Sequence, residues 1–365
     1  MILHRYIAMK FLRITLMVFL IFFGIMLLID VIDQLRRFSD ADIGFGDALI
    51  LSAVNVPKTL YTILPLVVIL SAITLFIGLA RTSELVVIRA AGRSGLRFLL
   101  APVGAAVAVG AFAVAVLNPI VAGTQKEYDK LWSEYTRGGQ SILSVTDGGL
   151  WLRQGGEDGQ TVIQASRANL DGTELFGATF LSFGADGTPQ TRVEANHAAL
   201  DSGVWRLTGT KRWDLTQDNP ERSAEAQAGD STLPTDLTRD SIRDGFGTPS
   251  AIPFWDLPRY IAGLERAGFS ARSHRVWFQM ELAQPLLLAA MVLLAGGFTM
   301  RHVRSGNTGT MVLLSLLAGF AIFFLRNFAQ VLGENGQIPV AMAAWIPPVA
   351  AAMAAMGLLL HLEDG

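Results

Sequence analysis

Six stretches of about 20 apolar residues constrain this chain more than anything else in it, because that is the length a helix needs to cross a bilayer. They cover roughly residues 12–32, 56–80, 98–121, 277–300, 310–332 and 341–361. In lipid each backbone polar group must be satisfied within the segment, so each stretch is expected to be a helix. They fall into two groups of three around a polar middle. Of the 365 residues 51% are hydrophobic and only 16% charged, against about 25% charged in a soluble domain. The deficit lies at the two ends, since 130–275 reads as soluble. Pro65, Pro102, Pro119, Pro285, Pro347 and Pro348 fall in or near the spans, where neighbouring helices or water can take the freed carbonyls. Small residues gather in the third, fourth and sixth spans (Gly104, Ala105, Ala106, Gly110; Gly296, Gly297; Ala350, Ala351, Ala352). They point to close helix packing. The first stretch starts after Arg5, Lys10 and Arg13 and ends in Asp33-Gln34-Leu35-Arg36-Arg37. It is too long for the core of a signal peptide and offers no small-x-small cleavage site, so we read it as a retained helix.

Lys and Arg in the short loops set the orientation. A cytoplasmic amino terminus places Arg5, Lys10, Arg13, Arg81, Arg89, Arg93, Arg97, Arg301 and Arg304 inside. The short outside loops then hold only Arg36 and Arg37, beside Asp40, Asp42 and Asp47. Both termini are therefore expected in the cytoplasm and the middle segment outside, in the periplasm where the cell has one.

That middle segment has short alternating runs, such as Leu150-Trp151-Leu152-Arg153, Thr161-Val162-Ile163-Gln164 and Val204-Trp205-Arg206-Leu207. Asp-Gly pairs at 147–148, 158–159, 171–172 and 186–187 are strong hairpin cues. Evenly spaced short strands with turns predict a sandwich or jelly roll. The polar stretch 217–250 reads as irregular connection, and 253–268 as a short helix returning to the membrane. Leu257, Ile261 and Leu264 give that helix its period, and Gly268 its stop. The organisation expected is thus three spans over 1–124, an all-β domain over 125–268 and three spans over 269–365.

The chemistry the sequence lacks narrows the function. A net charge of −2 offers no basic footprint for nucleic acid. Cysteine is absent, which excludes disulfides and thiolate chemistry. None of the five lysines (Lys10, Lys58, Lys126, Lys130, Lys211) follows a glycine, so there is no phosphate-binding loop of the Gly-Lys type. His4, His197, His274, His302 and His361 are scattered without metal spacing. No Gly-x-Ser-x-Gly elbow occurs. We expect no catalytic residues, no metal and no cofactor. Energy for any work would come from a partner or a gradient.

Three features carry functional weight. The inside loop Arg81-Thr82-Ser83-Glu84-Leu85-Val86-Val87-Ile88-Arg89-Ala90-Ala91-Gly92-Arg93 reads as a short amphipathic helix over about 82–91. Thr82 or Ser83 would cap it and Glu84 would favour its first turn. Such a helix between two spans suits docking to a cytoplasmic motor; an ordinary basic loop is the plainer alternative. At the outer end of the first span, Asp30 lies where ionisable groups are costly, and Arg36 and Arg37 lie at headgroup level, suited to phosphate. The plainer reading is a snorkelling helix end. Glu281 and Arg326 lie within apolar spans, where a charge faces a partner or a wet cavity unless it snorkels outward. Trp277 and Trp345 fit an interfacial belt.

These residues resemble the LptF/LptG family of lipopolysaccharide export permeases over nearly the whole chain, and its LptG members more than its LptF members. The resemblance rests on Asp33-Gln34-Leu35, Val56-Pro57-Lys58, Arg81-Thr82-Ser83-Glu84-Leu85-Val86-Val87 through Gly92, Gly148-Gly149-Leu150-Trp151 and Gln284-Pro285-Leu286. It implies a permease that pairs with LptF, is driven by an LptB ATPase dimer that binds the ATP, and docks LptC. The middle domain would be a periplasmic β-jelly roll. Lipopolysaccharide would pass from the outer leaflet of the inner membrane toward the outer membrane. By resemblance, Glu84 with Ser83, Leu85, Ile88 and Arg89 would meet the ATPase. Arg36 and Arg37 match a basic pair thought to meet substrate phosphates, whereas Asp30 stands where relatives can carry lysine. Substrate contacts are expected from Arg36, Arg37, Asp30, Phe22, Met26, Phe324 and Arg326. Phe19, Phe22, Phe23 and Met26 in span one, and Phe320, Phe323, Phe324 and Phe328 in span five, would wall a cavity for acyl chains or else face lipid. A membrane-anchored scaffold has no need of the Glu84 helix. An ion-driven exporter would place acidic residues at the bilayer midplane, where all six spans are apolar.

Overall fold

The computed structural model describes residues 2–37, 44–84, 95–137, 143–146, 149–156, 159–169, 172–184, 186–217, 219–227, 231–235, 237–238, 242, 248–266, 270–299 and 308–363. The chain divides into two compact units. One comprises 1–136, 250–255 and 272–365; the other comprises 137–249 and 256–271.

Among the described residues of the first unit six helices are long and apolar enough to cross a membrane. Helix α1 (Ile2–Arg37) is far longer than its apolar core. Helix α2 (Phe45–Thr62) begins well before the expected second span and is separated from α3 (Leu64–Arg81) only by Ile63. The interruption follows from Pro65 in the first turn of α3, which cannot donate to the Tyr61 carbonyl four residues back and whose ring crowds it. The chain restarts at once, with the N–H groups of Leu66 and Val67 donating to the Ile63 carbonyl at 2.9 and 3.1 Å.

The third span is α4 (Gly95–Phe112), a π-turn (Ala113–Leu117) and α5 (Asn118–Arg137). The π-turn precedes Pro119, which cannot donate to the Ala115 carbonyl four residues back. The indole N–H of Trp255 takes that carbonyl at 3.1 Å, and Asn118 Oδ1 accepts the backbone N–H of Phe254 at 2.8 Å. Residues 250–255 therefore belong with the membrane helices. The helix expected over 253–268 is the shorter α6 (Leu257–Arg266). Helices α7 (Arg272–Thr299), α8 (Thr308–Glu334) and α9 (Val340–Glu363) complete the unit.

Helix α7 is the hub, with 78% of its apolar segment buried, against 11% for α1 and 17% for α8. It packs on α3, α4, α8 and α9. Small residues permit this: a Cβ on Gly110 of α4 would lie 2.5 Å from the Cα of Pro285 in α7.

The second unit holds one antiparallel eight-stranded sheet. Its strands are β1 (Leu143–Thr146), β2 (Gly149–Gly156), β3 (Gly159–Ala168), β4 (Glu174–Gly184), β5 (Pro189–Asp201), β6 (Val204–Asp214), β7 (Glu225–Gln227) and β8 (Ser231–Pro234). Strands β1 to β7 pair in sequence order. β8 joins β7 along the outer edge of β6, at Val204–Leu207. The polar stretch expected to be irregular thus contributes two short strands, both paired to β6. Beyond the paired strands the sheet curls: Gln154 of β2 donates to the Pro234 carbonyl at 3.1 Å and accepts from the Thr235 hydroxyl at 2.6 Å. Alternation puts Leu150, Leu152, Ile163, Ala165, Phe180, Val193, Ala195, Trp205 and Leu207 inside, and Leu264 of α6 joins them. The β5–β6 turn at Ser202-Gly203 has positive φ at both residues (41° and 87°), as a two-residue I′ hairpin requires. Asp186-Gly187 turns β4 into β5, with Gly187 at φ 80°. The other three Asp-Gly pairs each include a residue outside the described set.

Candidate functional site

Helix α3 ends at Arg81, and Thr82 closes it with its N–H on the Gly78 carbonyl at 3.1 Å. Ser83 follows in the left-handed region at φ 60°, a conformation costing a non-glycine residue about 1–2 kcal/mol. That reversal aims Glu84 at α1. Lys10 Nζ lies 2.9 Å from Glu84 Oε1, the Thr82 hydroxyl donates to the same oxygen at 2.9 Å, and Tyr6 donates to Oε2 at 3.2 Å. Lys10 chiefly, by its hydrogen bond, holds the Glu84 carboxyl below the usual range. The sequence marked Ser83 and Glu84 but not their partners, although Tyr6 and Lys10 stand four apart on one face of α1. Leu85, Ile88 and Arg89 lie outside the described residues, as does the rest of the expected amphipathic helix.

At the other end of α1, Asp30 turns into the helix bundle. Its Oδ1 accepts from Asn55 of α2 at 2.8 Å, and Gln34 lies between Asp30 (3.4 Å) and the Tyr128 hydroxyl of α5 (3.1 Å). Asp30 thus ties α1 to α2, and Gln34 beside it ties α1 to α5. Arg37 pairs with Asp33 at 2.7 Å and lies 6.0 Å from the Trp132 ring. Arg36 is exposed and pairs with no described residue. The three polar candidates of this end share a neighbourhood but are not one cluster.

A third group lies inside the bundle. Tyr61 donates to Glu281, with the Asn118 side chain against the same pair. Arg326 of α8 donates to Gln284 at 3.4 Å. Glu281 is 1% exposed and Arg326 7%, so Arg326 is an interior residue with partners, neither a snorkelling end nor a surface group. Tyr61 and Asn118 carry no sign in the sequence, and Gln284 stands out there only within Gln284-Pro285-Leu286; the three-residue spacing of Glu281 and Gln284 was the available sign. Phe22 and Met26 are half-buried and Phe324 is 66% exposed. Helix α1 packs on α2, α3 and α4, and α8 on α3, α7 and α9, so the two apolar flanks share α3 as a common neighbour. No group of His, Asp and Glu suited to a metal occurs among the described residues.

Six membrane-spanning helices, an antiparallel β-domain inserted after the third and polar groups spent on joining helices define a multi-pass membrane protein. The chain belongs to the LptF/LptG family: the model described as lipopolysaccharide export system permease LptF/LptG matches residues 5–361. The lipopolysaccharide export system permease protein LptG of Escherichia coli K12 is 27% identical over 354 residues, covering 96% of this chain and 94% of the relative. LptG of Haemophilus influenzae is 25% identical over 354 residues, 94% of each chain.

Proposed function

We propose that this chain is the LptG-type permease subunit of an inner-membrane ABC transporter for lipopolysaccharide. It pairs with LptF, is powered by the LptB ATPase, and passes substrate with LptC toward a periplasmic bridge. The observation that carries this reading is the family match along nearly the whole chain. The physical layout supports it. Each acyl CH₂ taken from a leaflet costs about 0.8 kcal/mol unless another apolar surface receives it. Helices α1 and α8 carry the apolar surface this chain buries least, and a second permease facing them would enclose a cavity. In this reading Arg36 and Arg37 meet headgroup phosphates at the outer end of α1, and Glu84 meets the ATPase on the cytoplasmic side. Asp30 and Arg326 act as internal ties beside that cavity.

Co-purification tests it. Tagged chain expressed with LptF and LptB is expected to bring down the ATPase, and Glu84→Ala to lose it or its ATP turnover. A chain that inserts into the membrane yet binds no ATPase in either form would overturn the permease reading in favour of a scaffold.

A further inference from the structure

The Glu84 carboxylate already has its donors. Two come from α1, Tyr6 and Lys10, more than seventy residues away in the chain, and one from Thr82. A carboxylate offers about four lone-pair sites, and an arginine fork needs two of them. Oε1 already takes Lys10 and Thr82 whereas Oε2 takes only Tyr6, so a cationic fork that uses one site on each oxygen must displace Lys10 or Thr82, and of the two Lys10 carries the charge that repels it. Access is sufficient for such an exchange, since the Lys10 and Glu84 side chains are 27% and 32% exposed. The left-handed Ser83 fixes the direction of Glu84, so the exchange needs no rebuilding of the end of α3. Helix α1, at the other side of the exchange, is the span with the least of its apolar segment buried.

We propose that Lys10 is a positioning residue that holds Glu84 ready for the ATPase and surrenders it on docking, so that engagement of the motor frees the amino-terminal end of α1. The proposal rests on the permease reading above. It gives α1 a mechanical link to the cytoplasmic contact that does not pass through the rest of the bundle. A half-exposed ion pair contributes little to stability, so the protein is expected to fold without it.

The test uses the whole assembly, purified and reconstituted in vesicles containing lipopolysaccharide, with wild type, Lys10→Met and Lys10→Arg compared. Three quantities are read: ATPase recovered with the tagged chain, ATP turnover, and lipopolysaccharide extracted per ATP. Lys10→Met is expected to keep the ATPase bound and hydrolysing while extraction per ATP falls about fivefold, the size of a modest coupling between sites. Lys10→Arg is expected to restore most of it. Wild-type extraction per ATP in Lys10→Met would overturn the proposal, as would an equal loss in both variants or a loss of ATPase binding in Lys10→Met. If the wild-type chain itself recruits no ATPase, the permease reading fails and the proposal falls with it.

Discussion

Glu281 and Arg326 are held where an unpaired charge is costly, and each is tolerable because of the other groups around it. Glu281 bonds to Tyr61 and Arg326 to Gln284, so the two charges attract each other without a direct ion pair; removing one leaves the other buried and uncompensated, at a cost of up to about 3–5 kcal/mol, whereas replacing both by apolar residues is often neutral. Glu281→Ala is therefore expected to lower the temperature of heat-induced aggregation in detergent sharply, and Glu281→Leu with Arg326→Leu to recover most of it. At Glu84 the effect is one of pH. Its carboxyl is depressed by Lys10, and a depressed carboxyl contributes stability that is complete above the unfolded value, about 4.3, and lost as pH falls through the folded one. Hydrogen exchange at Thr82 and Glu84, corrected for intrinsic rates, is expected to stay constant from about pH 7 to 5 and to rise only in stronger acid. Single polar residues in apolar runs were legible in the sequence. Their partners at 61, 118 and 10 were not, because local pattern does not say which helices touch.

Among the elements, prolines and glycines show how the spans are shaped. A methyl on Gly110 would meet the Pro285 backbone at 2.5 Å, whereas one on Gly104 in the same helix meets nothing within 4 Å. Gly104→Ala is expected to stabilise slightly, by up to about 1 kcal/mol of helix propensity. Gly110→Ala is expected to cost about 1–3 kcal/mol through overpacking against an atom that cannot swing away, and parallel thermal melts separate the two. The π-turn gives a second test. With Pro119 present, Trp255 is the donor to the Ala115 carbonyl, so Trp255→Phe should cost about 1 kcal/mol. With Pro119→Ala the backbone supplies an N–H, and the same substitution should cost less; a double-mutant cycle measures the difference. The sequence located these prolines and small residues within the spans. It did not show that Pro65 would break the helix at Ile63 or that a π-turn would precede Pro119, and the anchoring of 250–255 depends on contacts distant in the chain. Strands β7 and β8 were missed for a related reason: they are short, and their pairing with β6 is what defines them.

Across the whole molecule, apolar length and alternation were enough to find six spans and a β-domain, since burial in lipid and burial in a sheet leave different periods in the sequence. Sidedness is a separate matter, decided by where cations lie. Arg5, Lys10, Arg13, Arg81 and Arg97 cluster at one end of the spans, against Arg36 and Arg37 at the other, and positive charge is retained in the cytoplasm. The chain has no cysteine, so a single introduced thiol reports one place without background. Gln190→Cys, exposed at the start of β5, is expected to react with a membrane-impermeant maleimide in spheroplasts. Arg81→Cys, exposed at the end of α3, is expected to react only after the membrane is opened with detergent. The reverse pattern would put Glu84 outside, away from ATP and any ATPase, and the β-domain inside, away from the outer membrane. The sidedness of these two thiols therefore tests the proposed coupling role of Glu84 and the proposed bridging role of the β-domain together.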